Sequence, residues 1–336
     1  MFGLESLIQN SLPAAVLCMA ACFVLLFKCA DLFVDAAVGI AEHLRIPRLV
    51  IGLVLVSLAT TAPELAVSIT AALRGIPEIA LGNAIGSVLC DDGLALGLAG
   101  VVAAGPIAVM PTVFRGAARF LLALSAILVL FTLPDATLGR AEGAVLLALF
   151  AGYTAWLIRQ QRREPAPAGL VPAHARHRLL VLAGMFCAAL VGIIICGELV
   201  ITAAVTIARA ANISESVIAL TLVAFGTSVP EIATCISAAR KGEGAIAVGN
   251  ILGADIMNIC WVAGASAVAH PLVLSAADIR FMLPSLCIMV LVMLGLLRHG
   301  HCLTRTKGTV LLLLYGLYLT AAALLLPTTK LAASVP

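Results

Sequence analysis

Residues 51–93 and 218–260 of this chain are two copies of one apolar segment, and each copy carries a carboxylate directly after a proline. An offset of 167 residues, held without a gap, lays Glu64 on Glu231, Pro63 on Pro230, Thr60 on Thr227, Gly75 on Gly242, Gly82 and Asn83 on Gly249 and Asn250, and Gly86 on Gly253. Asp31 falls on Glu198 with the same offset, so the duplication reaches back toward the start of each half. A fold for this chain must give two distant segments equivalent surroundings and must house a buried acid in each.

The surroundings are lipid. Hydrophobic residues make up 62% of the chain and charged ones 11%, against about 25% charged in an ordinary soluble domain, and mean hydropathy is +1.16. Apolar runs long enough to cross a hydrocarbon core of about 30 Å as helices occur near 13–42, 48–73, 78–103, 112–133, 140–158, 178–208, 215–239, 244–268, 281–297 and 308–326. No alternating barrel pattern is present. The expected fold is therefore all-α, with ten transmembrane helices.

The basic stretch at 159–177 divides the chain into a first five-helix half, 1–158, and a second, 178–336. Taking that linker as cytoplasmic puts fourteen of the 20 basic residues inside and five outside, with Lys28 in the membrane, as the positive-inside rule requires. The N-terminus then lies outside. The start, with Glu5 and no basic n-region, lacks the pattern of a cleavable signal. Because each half has an odd number of spans, the two enter the membrane from opposite sides, the inverted-repeat plan of many secondary transporters, with the binding site near the midplane.

An acid at the centre of a membrane helix costs at least about 2.5 kcal/mol, so two at matching positions call for a function. Pro63 and Pro230 each remove a backbone donor, which frees the carbonyls of Ala59 and Gly226. Thr60 and Thr61 stand one turn before Glu64, and Thr227 and Ser228 one turn before Glu231. Ser87 and Asp91 share a helix face in the first copy; Ala254 and Asn258 are their counterparts. The gathered ligands are hard oxygens, suited to Ca²⁺ and Na⁺. Glu64, Glu231 and Asp91 together carry −3, which one divalent or three monovalent cations would largely neutralise. Asn83 and Asn250 read equally as ion contacts or as links between helices, whereas Lys28, Asp31, Asp35 and Glu198 read as ion pairs or surface groups.

ATTAPE and GNAIGSVLCD in the first half, with AFGTSVPE and GNILGADIMN in the second, resemble the two α-repeats of the sodium/calcium exchanger family of cation/calcium antiporters. The resemblance implies ten helices, alternating access and Ca²⁺ transport coupled to Na⁺, with Glu64 and Glu231 as central Ca²⁺ ligands. It also implies that Thr60, Thr61, Thr227, Ser228, Ser87, Asp91 and Asn258 line the ion sites, and that the first and sixth spans move across a fixed core. Four positions depart from the family pattern: Ala59 for glycine, Thr61 for serine, Ala254 for serine and Asp91 for asparagine. A Ca²⁺/H⁺ antiporter of the same superfamily is the alternative, and a cation channel a more distant one. No metalloprotease or CxxC motif and no nucleotide-binding motif is present, so no enzymatic activity is expected. Expected partners are Ca²⁺, Na⁺ and the lipid bilayer, with no resident cofactor, no nucleic acid and no obligate protein partner. The short loops, without a regulatory insertion between the halves, point to a prokaryotic cytoplasmic membrane.

Overall fold

The computed structural model describes residues 8, 11–44, 46, 48–163, 175–210, 225–274 and 276–325. Helices dominate because nearly every apolar run must satisfy its backbone polar groups internally. The first is α1, Leu12–Leu44. α2 follows as Arg48–Ile51, a π-helical turn Gly52–Val56 and Ser57–Thr60, then α3, Ala62–Leu73, and α4, Pro77–Cys90. A second π-helical turn, Asp91–Ala95, leads into α5, Leu96–Val102. α6 (Pro111–Thr132) and α7 (Arg140–Arg163) complete the first half. In the second half α8 (Ala175–Ala210), α9 (Val229–Arg240) and α10 (Gly244–Met257) lead into a π-helical turn, Asn258–Val262. α11 (Ala263–Ala269), α12 (Ala276–Arg298) and α13 (Arg305–Leu325) end the described chain.

Seven of these helices are each long and apolar enough to cross a membrane, and the bent pair Gly52–Thr60 and Ala62–Leu73 makes an eighth unit. The expected span at 140–158 is helical within α7 but is not among the eight. The span expected at 215–239 lies outside the described residues as far as 224, and so does the middle of the 159–177 linker. The chain is an integral, multi-pass, mainly helical membrane protein.

Its backbone irregularities recur at the spacing of the sequence repeat. Thr61 (φ −81°, ψ −2°) and Ser228 (φ −81°, ψ 3°), 167 residues apart, both interrupt a helix just before its proline; the first break bends the chain by 48°. α3 ends with Gly75 at φ 72° and α9 with Gly242 at φ 77°. In both, the glycine N–H bonds back to Ala72 or Ala239, and the next N–H to Ala71 or Ala238, the paired closure that a left-handed residue at a helix C-terminus permits. The π-helical turns at Asp91 and Asn258 are also 167 apart.

Four two-residue strands stitch the halves together. β1 (Ile107–Ala108) pairs antiparallel with β4 (Cys302–Leu303), and β2 (Thr137–Leu138) with β3 (Leu272–Val273). Each tiny sheet therefore joins a connection of one half to a connection of the other.

Burial separates a core from a jacket. Within the most apolar window, 78% of residues in Ile79–Val102 and 89% in Gly244–Ala269 are buried, against 17% in α1 and 22% in Leu179–Val200 of α8. α1 and α8 lie along one another, with Phe33 and Phe186 stacked at 4.2 Å. α2 and α10 cross where glycine lets the backbones meet: a Cβ on Gly52 would lie 2.5 Å from Ile246 O, and one on Gly253 would overlap Leu53 O and Ser57 Oγ. Close approach of this kind is how helices gain packing in lipid, where no hydrophobic force drives them together.

Candidate ion-binding site

The breaks at Thr61 and Ser228 stand directly before α3 and α9. Glu64 and Glu231 sit in the first turns of α3 and α9, where the helix dipole favours negative charge. Both are fully buried, as are Thr60, Thr61, Ser87, Asp91 and Ser228, while Asn258 and Thr227 are 1% and 8% exposed. All nine residues predicted to line the site are thus interior.

Contacts run across the repeats. The Thr61 hydroxyl donates to Glu231 Oε1 at 3.4 Å, and Glu231 also lies beside Thr60. Glu64 lies beside Thr227 and within repelling range of Glu231 and Asp91. Asp91 faces Ser228 and is close enough to Glu231 and Asp92 to be repelled by both. Ser87 Oγ is 3.5 Å from Thr227 Oγ1. Both polar atoms of the Asn258 amide are buried without a hydrogen-bond partner.

Neither oxygen of Glu64 or Asp91 has a hydrogen-bond partner, nor does Glu231 Oε2 or the Ser228 hydroxyl. Orphaned buried carboxylates are rare because desolvating them is costly. Among the residues whose side chains are described, no lysine, arginine or histidine is buried with these acids. Nor do three histidine, cysteine, aspartate or glutamate side chains converge tightly enough to hold a metal by themselves. A cation here would be held by carboxylates together with hydroxyls and main-chain carbonyls, which is the donor set of hard ions.

Asp255 escaped the sequence reading. It is fully buried, and its carboxyl faces that of Asp92, with none of the four oxygens bonded to another group. The signal was present: an acid in an otherwise apolar helix, at a position where the first copy has Val88. It lies within GNILGADIMN but has no acidic counterpart in the first copy, so matching the copies passed over it. Asn83 and Asn250, left open by the sequence, are buried links between helices. At the rim, Ser237 Oγ donates to Asp31 Oδ1 at 2.5 Å, and Lys241 bonds Asp31 O at 2.7 Å and Asp35 at 2.6 Å. These contacts fasten α1 to the end of α9.

Comparison with known proteins agrees with this arrangement. The profile of the sodium/calcium exchanger protein family matches residues 14–159 and 181–324. The inner membrane protein YrbG of Escherichia coli is 35% identical over 72% of this chain and 76% of its own. The sodium/calcium exchanger MaX1 of Methanosarcina acetivorans is 28% identical over 88% and 95%. A solved structure of the sodium-calcium exchanger NCX_Mj, soaked with Na⁺ and Sr²⁺, superposes with a TM-score of 0.79 at 27% identity, covering 93% of this chain and 99% of that one. On the family match and on the shared fold, the chain belongs to the sodium/calcium exchanger family of cation antiporters.

Proposed function

We propose that this protein exchanges Ca²⁺ for Na⁺ by alternating access, binding ions near the bilayer midplane between two inverted five-helix halves, 1–158 and 178–336, joined by a basic cytoplasmic linker at 159–177. In this reading ten helices span a prokaryotic cytoplasmic membrane and the N-terminus is outside. The ligands are Glu64, Glu231 and Asp91 with Thr60, Thr61, Thr227, Ser228, Ser87 and Asn258.

The observation that carries the reading is the pair Glu64 and Glu231, held at the same position in each repeat, fully buried and faced by hydroxyls of the other repeat, with no buried basic side chain among those described. Inversion is supported by the exchange of partners among the four strands, and the duplication by the breaks, caps and π-helical turns that recur 167 residues apart. Alternating access is supported by the contrast between a buried core and the exposed α1–α8 pair. That pair is fastened to the core through Asp31, Asp35, Ser237 and Lys241. The counterparts of Asp31, Ser237 and Lys241 are Glu198, Thr70 and Arg74, all of them exposed. In this reading the fastened end is the closed one and the end with exposed counterparts the open one, in a carrier caught in one of two states.

Mechanistically, cation binding neutralises the central carboxylates and lets α1 and α8 slide across the core; an unneutralised centre resists the passage through lipid. A Ca²⁺/H⁺ exchanger is the second reading, favoured by the surplus acids Asp91, Asp92 and Asp255. The decisive experiment is Ca²⁺ uptake into proteoliposomes loaded with Na⁺ and diluted into Na⁺-free buffer, beside vesicles given only a pH gradient. Uptake that needs internal Na⁺ and vanishes in Glu64→Gln supports Na⁺/Ca²⁺ exchange. Uptake driven by the pH gradient alone moves the protein to the Ca²⁺/H⁺ branch, and flux without counterflow makes it a channel.

A further inference from the structure

We propose that Asn83 and Asn250 are positioning residues: each takes the hydroxyl proton of the other repeat's threonine, Thr227 or Thr60, so that the threonine oxygen faces the carboxylates as a pure acceptor. The proposal rests on the cation-exchange reading and assigns a role to two residues outside its ligand set.

Hydrogen-bond direction follows from groups that can only accept or only donate. In the first copy Asn83 Nδ2 lies 3.3 Å from the main-chain oxygen of Glu64 and 3.0 Å from Ser68 Oγ. A carbonyl cannot donate, so the amide nitrogen must face it, and the amide oxygen is left facing Thr227. An amide oxygen cannot donate either, so Thr227 gives its proton to Asn83, at 3.0 Å. Ser87, 3.5 Å from Thr227 Oγ1, is then the donor in that pair.

The second copy reaches the same end by another route. The Cys235 thiol lies 3.6 Å from Ala247 O, a carbonyl that fixes the S–H as donor. Its sulfur is then free to accept from Asn250 Nδ2 at 3.9 Å, and Asn250 Oδ1 faces the Thr60 hydroxyl at 3.3 Å. Thr60 also points at Ser57 O, at 3.4 Å, a second group that can only accept. Ser68 and Cys235, like the two asparagines and the two threonines, are 167 residues apart, so two different chemistries arrive at one orientation.

The consequence lies on the other side of each threonine. Thr227 is beside the Glu64 carboxyl and Thr60 beside that of Glu231. With its proton turned toward acceptors away from the acid, the asparagine among them, a threonine oxygen and a carboxylate oxygen confront one another as two acceptors. That contact is repulsive until a cation lies between them, and attractive afterwards. Were the protons turned inward, each threonine would satisfy the carboxylate itself and compete with the ion. The asparagines, buried at 3% and 0% exposure, thus keep the hydroxyls from quenching the site.

The test is a double-substitution cycle on the full-length protein in proteoliposomes, reading half-saturating Ca²⁺ and maximal rate. Asn83→Leu and Thr227→Val are each expected to raise half-saturating Ca²⁺ about tenfold, with maximal rate within about twofold. The double variant should be no worse than Thr227→Val alone, because the asparagine acts through the threonine. Asn250→Leu with Thr60→Val should repeat the pattern with a smaller effect, since its bonds are longer, and this mirror pair serves if Asn83→Leu does not insert. Additive losses, or a fall in maximal rate at unchanged half-saturation, would overturn the proposal. If the unsubstituted protein shows no cation-coupled flux, the exchange reading itself fails; if it does and the cycle is additive, only the positioning role fails.

Discussion

The two copies of the duplicated segment agree where they shape the chain and differ around the buried acids. Pro63 and Pro230, Thr60 and Thr227, Asn83 and Asn250, and the caps at Gly75 and Gly242 are matched in residue and in backbone. Around the centre, Ser87 of the first copy, beside Thr227, is replaced by Ala254 in the second, and Asp91 by Asn258. Asp92 and Asp255 have apolar counterparts, Ile259 and Val88. Matched positions supply breaks and bends that both halves need to pack against each other. Unmatched ones give two near-equal halves unequal polar groups around the buried acids, and under the proposed exchange that inequality would let sites for ions of different charge coexist.

The strongest way to break this comparison is at its matched acids. Glu64→Gln and Glu231→Gln should each lower Ca²⁺ transport by at least about a hundredfold, on the scale of removing one member of a buried charged set. Equal loss in ⁴⁵Ca²⁺ flux assays is expected; a variant that kept normal coupled exchange would remove that glutamate from the site. Next in size is the unmatched pair. Asp91→Asn should weaken Ca²⁺ binding about tenfold by taking one charge from the centre, and Asn258→Asp in the same chain should restore it, as read from the Ca²⁺ dependence of uptake. Failure of the swap to rescue would mean that the two positions face different ions.

Smaller effects sharpen the picture. Ala254→Ser gives the second copy the hydroxyl that Ser87 supplies in the first, and should lower half-saturating Na⁺ about threefold, the worth of a modest polar contact; Ser87→Ala should raise it. Smallest of all is the link at the rim. Lys241 and Asp35 are 26% and 61% exposed, and exposed pairs contribute about 0–1 kcal/mol. Lys241→Gln should therefore change the exchange rate by less than about threefold, with little change in half-saturation. The charge-reversed pair Asp35→Lys with Lys241→Asp should return it, while a change in ion affinity instead would place Lys241 in the binding machinery.

Much of the architecture could be read from residues alone because lipid narrows the choices. Apolar runs near 13–42, 112–133 and 244–268 correspond to helices at 12–44, 111–132 and 244–269. The break before Pro63 followed from a missing donor, whereas Gly75 and Gly242 were legible only as matched positions and their left-handed caps came from the structure. Other features had no local signature. Nothing in the residues around Asp91 or Asn258 announced a π-helical turn, and the facing of Asp92 toward Asp255 depends on how α4 and α10 are rotated about their axes. The link from Ser237 to Asp31 spans 206 positions in the chain, and neither residue alone says that it has a partner.

The sequence by itself determined that this chain lives in a membrane, that it repeats, and that each repeat brings a proline-marked acid and hydroxyls of one chemical kind. Those follow from composition, period and covalent geometry, which act over a few residues. Only the tertiary structure decided which hydroxyl faces which carboxylate, that Asn83 and Asn250 reach across to the opposite repeat, and that Ser237 and Lys241 fasten α1 at one rim. Such choices turn on the rotation and sliding of helices packed through small residues, where a shift of one turn exchanges every partner and no short-range preference selects among the alternatives.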